Sequence, residues 1–247
     1  MNPSDSSLLH TWAVTTWSKI FQGRGEDDAA QQARHELVVR YHEAVYHYFL
    51  SQLRDPNVAA ELYSNFAVRL LASDSLLRRA DPQRGRFRNY LKTALHNMVM
   101  DHYRKQARER GKAAPLPTDV AAADTPERED GFSSIFAQEL LNQAWKGLEA
   151  ADRGGLQYQV LRHQADHPEL KAPQVAAQLG ARLGKELTPE NVRQALHRAR
   201  EKFAALLLEE VERSLENPTP DELERELVEL HLLSYCKKAL EKRRGGG

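Results

Sequence analysis

Apolar residues return every three to four positions through most of the chain, which predicts an all-α fold. A first helix is expected over Ser4 to Phe21, around Leu8, Leu9, Trp12, Val14, Trp17 and Ile20. Gly23-Arg24 and Gly25-Glu26 close it. Asp27 or Asp28 caps the next helix, which runs to about Leu53 with Leu37, Val38, Tyr41, Val45, Tyr48 and Phe49 inward. Asp55-Pro56 stops it and starts a third, over Asn57 to Leu71, with Ala59, Leu62, Phe66 and Leu70 inward. Ser73-Asp74-Ser75 and Asp81-Pro82 bracket a loop that holds Arg78 and Arg79. A long helix then spans Arg84 to Lys112, with Phe87, Leu91, Ala94, Leu95, Met98 and His102 on one face.

The periodicity fades from Ala113 to Phe136, a stretch with Pro115, Pro117 and Pro126 that reads as a flexible linker. It resumes at Gln138 to Ala151 through Leu140, Leu141, Ala144, Trp145 and Leu148, and Gly154-Gly155 breaks it. Leu156 to Ala165 follows. Pro173 to Leu179 comes next, with Gly180 as its expected stop. Thr188-Pro189-Glu190 is a strong helix start: a hydroxyl cap, proline at the first position and an acid in the first turn. That helix runs to Leu215, buries Val192, Ala195, Leu196, Ala199, Phe203, Leu206 and Leu207, and turns Asn191, Arg193, Gln194, His197 and Arg198 outward. Asn217-Pro218-Thr219-Pro220 ends it. A last helix is expected from Asp221 to Arg244, acidic at its start and basic at its end, as a helix dipole favours. The organisation is thus 1–112, a linker at 113–136, a second domain at 137–215 and a helical extension at 216–247.

Charge changes this picture at two places. The 247 residues carry no net charge, yet Leu76 to Lys112 holds 11 Lys and Arg against three acids. Phe87, Tyr90 and Tyr103 interleave with these cations. A cationic stripe with rings suits a phosphate backbone and stacked bases, although a solvated helix end would look similar. The expected linker carries five acids against Arg128 alone. It reads as a plain tether, or as a segment that lies across the basic helix and competes with DNA. In the second domain, two helices joined by a turn, the second opening with Arg, Gln and His outward, suit a helix-turn-helix reader as well as an ordinary helical hairpin. Arg bonds guanine edges bidentately and Gln bonds adenine.

Composition excludes other classes. The single cysteine, Cys236, rules out an internal disulfide and a cysteine-based zinc cluster. No apolar run approaches a membrane span, and Met1 to Trp12 lacks the pattern of an export signal, so a cytoplasmic location is expected. His35, His42 and His47 share one helix, and His163 and His167 sit four apart, without further ligands to nominate. Neither a metal, a cofactor nor a catalytic constellation is expected.

The order of parts, and the words in them, resemble the bacterial RNA polymerase sigma factors, and specifically the two-domain extracytoplasmic-function group. The words are LVVRYHEAVYHYFLSQLRDPNVAAELYSNFAVRLL, DPQRGRFRNYLKTALHNMVMDHYRK, APQVAAQLG and TPENVRQALHRAREKF. They run from about Leu37 to Phe203.

The resemblance implies core RNA polymerase and promoter DNA, both paired and melted, as partners. It implies minus-ten recognition and capture of an unstacked base through Arg78, Arg79, Arg84, Arg86, Phe87, Arg88, Tyr90, Lys92, Asn97, Arg104 and Lys105. Minus-thirty-five reading would fall to Asn191, Arg193, Gln194, His197 and Arg198. Polymerase docking would fall to Tyr41, Val45, Glu61, Leu62, Asn65 and Phe66.

Two departures stand out. The family's acidic DxxQE-like motif aligns with Glu61, Ser64 and Asn65, so most of its negative charge is missing. Docking would then rest on apolar contacts, or on charge added by a regulatory kinase at Ser64 or Tyr63. Ala181 to Leu187 also lengthens the turn before the recognition helix. An anti-sigma partner and a role for the last helix stay open. The alternative to a working sigma factor is a sigma-derived DNA-binding regulator or protein scaffold that no longer docks on polymerase.

Overall fold

The computed structural model describes residues 16–72, 75–81, 86–109, 126–153, 155–215 and 218–244, with the backbone alone at 16–18, 75 and 126–130. It is all-α: among the described residues there are eleven helices and no strand. The helices are α1 (Thr16–Gln22), α2 (Asp28–Leu53), α3 (Pro56–Ala72), α4 (Ser75–Arg79), α5 (Phe87–Glu109), α6 (Pro126–Asp152), α7 (Leu156–Asp166), α8 (Ala172–Leu183), α9 (Pro189–Arg213), α10 (Pro220–Glu229) and α11 (Leu233–Arg244). The expected start of the first helix, Ser4 to Thr15, lies outside the described residues. Chain contacts divide the protein into two units. One is Met1–Glu139 with Glu212–Leu223, and the other is Leu140–Val211 with Glu224–Gly247.

In the first unit, the Asp27 carboxylate accepts the Ala30 N–H at 2.8 Å and so caps α2. Arg54 ends the helix in the left-handed conformation, with φ 55°. Asp55 then accepts the Asn57 N–H at 2.9 Å and starts α3. The apolar stripe of α2 buries Leu37, Tyr41, Val45 and Phe49, and that of α3 buries Leu62, Phe66 and Leu70. From α5 come Phe87, Leu91, Leu95 and Met98.

The segment expected to be a linker up to Phe136 is different. Helix α6 begins at Pro126, and both Phe132 and Phe136 are buried in the first unit's core. Phe132 meets the Tyr48 ring edge-on at 5.5 Å, and Phe136 stacks on Tyr41 at 6.1 Å. Proline at the first helical position and two phenylalanines four apart outweigh the local acidity.

In the second unit, α7, α8 and α9 share a core of Val160, Val175, Ala176, Leu179, Val192 and Ala195. Trp145 of α6 packs on Phe203 of α9, with ring centroids 4.7 Å apart. Gly180 does not stop α8. The helix continues to Leu183 and ends at Gly184, whose φ of 61° is the left-handed cap that glycine adopts freely. Gly180 meets a different need: a Cβ there would lie 2.8 Å from the Lys185 carbonyl oxygen as the chain turns back. The first three residues of the expected long turn, Ala181 to Leu183, are therefore helix.

The single helix expected from Asp221 to Arg244 is two, separated at His231, where φ is 56°. Leu230 and Leu232 on either side are both buried, so the break turns each inward. Cys236 of α11 is buried, with its sulfur 3.8 Å from the Ala204 carbonyl oxygen of α9.

Candidate nucleic-acid interface

Helix α5 presents two faces of different chemistry. Phe87 is buried edge-on against Tyr41, and Arg88 is buried with its guanidinium donating to the Ser133 hydroxyl at 2.7 Å. Neither is on the surface as expected from the cation and ring count. Both belong to the packing of α5 against α2 and α6. Tyr90 is half-buried, and its hydroxyl donates to the Leu76 carbonyl. Burial pushes its pKa up, while the Arg79 and Arg24 guanidiniums nearby act in the opposite sense. Tyr103 is anchored too, its hydroxyl donating to the Gln52 carbonyl at 3.3 Å.

The outer face is carried by other residues. Asn89, Thr93 and Asn97 are exposed at four-residue spacing, and Asp101 and Lys105 continue the same line. The Thr93 hydroxyl donates back to the Asn89 carbonyl at 3.1 Å. Asn97 is thus a surface amide. Asn89 and Thr93 are absent from the sequence-derived site, although their fourfold spacing with Asn97 was available in the sequence.

Cations gather toward the two ends of this line. Arg78 and Arg79 of α4 are exposed and Arg86 is half-buried. Arg104, Lys105 and Arg108 are exposed at the other end, with Lys92 half-buried between. Arg84 lies outside the described residues. Arg104 pairs with Asp101 at 3.1 Å and Lys105 with Glu109 at 4.0 Å. Exposed pairs of this kind contribute less than about 1 kcal/mol, so a phosphate displaces them at little cost.

In the second unit, Asn191, Arg193, Gln194, His197 and Arg198 are all exposed on α9, with Val192, Ala195 and Ala199 behind them. Their side chains are already occupied in different ways. Asn191 serves the cap: its carbonyl oxygen accepts the Thr188 hydroxyl at 2.7 Å, and its N–H donates to that hydroxyl at 3.1 Å. Glu190 accepts from Arg193 on one carboxylate oxygen and from Gln194 on the other, the latter at 3.2 Å. His197 lies 3.6 Å from Glu201.

The expected polymerase-docking set splits. Tyr41, Val45, Leu62 and Phe66 are buried in the first unit's core and offer no surface to a partner. They sit on the inward stripes of α2 and α3. Glu61, Ser64 and Asn65 are exposed, and the Ser64 hydroxyl donates to the Ala60 carbonyl at 2.9 Å. Beside them, His42 of α2 meets the Tyr63 ring of α3 edge-on at 4.6 Å, and Val39 and Val68 are more than 60% exposed.

Among the described residues, no three His, Cys, Asp or Glu side chains converge as a metal site would require. His163 and His167 lie beside one another, and His163 shares a hydrogen bond of 2.9 Å with Gln178. No helix among the described residues is long and apolar enough to cross a membrane.

Residues 37–109, from α2 through α5, match the family described as sigma-70 region 2. That match supports a sigma-type first unit, the part of such factors concerned with promoter melting and core polymerase. No curated protein and no solved structure matches the chain.

Proposed function

We propose that the protein is a sigma factor of the extracytoplasmic-function group, which brings core RNA polymerase to a restricted promoter set in the cytoplasm. The observation that carries this reading is the sigma-70 region 2 match over 37–109, whose last helix, α5, has an outer face of amides and a hydroxyl flanked by cations. Amides and a hydroxyl bond base edges once bases leave the stack, and cations at both ends hold the backbone. Asn89, Thr93 and Asn97 take the minus-ten strand in this scheme. Arg78, Arg79, Arg86, Lys92, Arg104 and Lys105 take its phosphates. Phe87 and Arg88 form the support beneath.

The second unit reads the minus-thirty-five element as a helix-turn-helix, with Arg193, Gln194, His197 and Arg198 in the major groove and Asn191 kept for the cap. Polymerase docks on the exposed side of α2 and α3 around Glu61, Ser64, Asn65 and the His42–Tyr63 pair. The protein has no catalytic activity of its own.

One observation favours a second reading. Glu61 is the sole acid in α3, so a basic polymerase surface would meet little opposite charge there. A sigma-derived regulator that binds DNA without polymerase accounts for this, as does a kinase acting at Ser64. Transcription from a promoter template by purified core polymerase, with and without the protein, tests the proposal. Co-purification with core polymerase separates a sigma factor from a regulator. Absence of both transcription and co-purification, for unmodified and phosphorylated protein alike, would overturn it.

A further inference from the structure

The short helix α4 carries Arg78 and Arg79, and it has only five residues. A single turn is far below the length at which a helix stands alone, and its last carbonyls have no partners within it. The Leu77 carbonyl accepts the Ala80 N–H at 3.2 Å, and side chains from elsewhere hold Leu76, Leu77 and the following Ala80. Tyr90 donates to the Leu76 carbonyl. Arg24 donates through Nε to the Leu77 carbonyl at 3.0 Å and through a second nitrogen to the Ala80 carbonyl.

Arg24 is itself held firmly. Its guanidinium lies 4.7 Å over the Phe21 ring. Its loop is fastened by Arg34, which donates to the Gly23 and Gly25 carbonyls at 2.7 and 2.8 Å. Gly23 lets that loop close on α4, since a Cβ there would come within 2.7 Å of the Leu77 side chain. Arg34 is buried and Ile20 and Leu77 are almost wholly so, which makes the junction part of the core. Arg24 and Gly23 both precede the region 2 match at 37–109.

We propose that Arg24 is a positioning residue for the promoter face: it clamps the end of α4 so that Arg78 and Arg79 are presented together to the DNA backbone. A one-turn helix with loose carbonyls would let two adjacent arginines spread over many directions. The clamp sets their direction from a segment that does not itself touch the DNA. The inference rests on the proposed DNA-binding role of α4 and α5.

The test measures affinity of the full chain for a fluorescein-labelled duplex with a central unpaired bubble, across a salt series. Arg24→Gln should weaken binding and flatten the salt dependence toward that of Arg78→Ala/Arg79→Ala, a change of about 0.7–0.9 in slope for each phosphate no longer neutralised. Gly23→Ala removes no charge and should flatten it too, because it displaces the loop from Leu77. Added to Arg78→Ala/Arg79→Ala, Arg24→Gln should bring no further loss. Arg24→Lys, which keeps a donor for one carbonyl, should restore part of the slope.

A wild-type slope in both Arg24→Gln and Gly23→Ala overturns the inference. So does an Arg24→Gln effect of equal size with or without Arg78 and Arg79, since Arg24 would then touch DNA itself or support the fold at large. If the unaltered protein fails to prefer bubble over paired duplex, the proposed function falls, and this inference with it.

Discussion

The rings of Tyr41 and Phe87 meet edge to face, with centroids 5.5 Å apart and planes at 62°. This packing joins α2 to the first turn of α5 and takes Phe87 out of reach of DNA. Phe87→Ala should therefore cost about 3–5 kcal/mol of stability, as removal of a buried phenylalanine does. Phe87→Leu should cost less and leave the affinity of the folded protein for melted DNA unchanged. Denaturant unfolding and binding titrations on the same variants check both halves. A DNA-specific loss in folded Phe87→Leu would return the ring to the binding face.

At the far end of α5, Arg104 and Lys105 pair with exposed acids. Arg104→Ala and Lys105→Ala should each weaken binding to every DNA sequence alike and lower the salt slope by about 0.7–0.9. Thermal stability should change little, since surface pairs contribute at most about 1 kcal/mol. Binding isotherms at several salt concentrations give the slope directly.

Glu190 ties Arg193 and Gln194 together at the start of α9. Arg193→Ala should relax preference at one base pair, by about 1–3 kcal/mol. Glu190→Gln should raise affinity for unrelated DNA while blurring that preference, because it removes a negative charge from the reading face and leaves one acceptor oxygen where Arg193 and Gln194 had two. Asn191→Ala should act on stability instead, by removing the bond to Thr188. Selection from a randomised duplex pool, beside melting curves, distinguishes these outcomes.

Burial pushes the Cys236 thiol up to about 12 from its ordinary 9.0. A folded-state pKa above the unfolded one gives stability that is full below pH 9 and falls as pH rises toward 12, because the unfolded chain loses its proton first. Native protein should resist thiol reagents near pH ~8 and react only as the second unit opens. Cys236→Ala should lessen the alkaline loss. Reagent kinetics with and without denaturant, and unfolding across pH ~8 to ~11, provide the check.

The helices were legible where the apolar spacing was strong. Leu37, Tyr41, Val45 and Phe49, or Val192, Ala195 and Ala199, are buried where a helical repeat of about 3.6 residues puts them. What the pattern did not resolve was competition between signals. At 126–136, one proline and three acids suit a tether, while Phe132 and Phe136 have a hydrophobic pocket that only the tertiary structure supplies. At Gly180 and Gly184, two glycines were equally good stops, and the close approach of Lys185 decided between them. At His231, a left-handed residue broke a helix that looked continuous.

The candidate site shows the same limit. Residue type points to Arg104, Lys105 and Asn97, and all three are exposed. It could not separate Phe87 and Arg88, which face inward, from Asn89 and Thr93, which face outward, because that depends on which side of α5 meets α2. The docking set divides for a related reason: Glu61 and Asn65 are exposed, whereas Tyr41 and Phe66, apolar residues at core spacing, pack within their own domain.

The docking of α6 on the first unit governs how the chain can be cut. A fragment ending at Lys112, the natural choice from charge alone, would strip Phe132 and Phe136 from the rings of Tyr48 and Tyr41 and take Ser133 from Arg88. Such a piece would display greasy aromatic surface and self-associate. An N-terminal fragment that keeps these contacts must reach past Phe136, and the first unit also draws on Glu212–Leu223, so no single cut releases it whole.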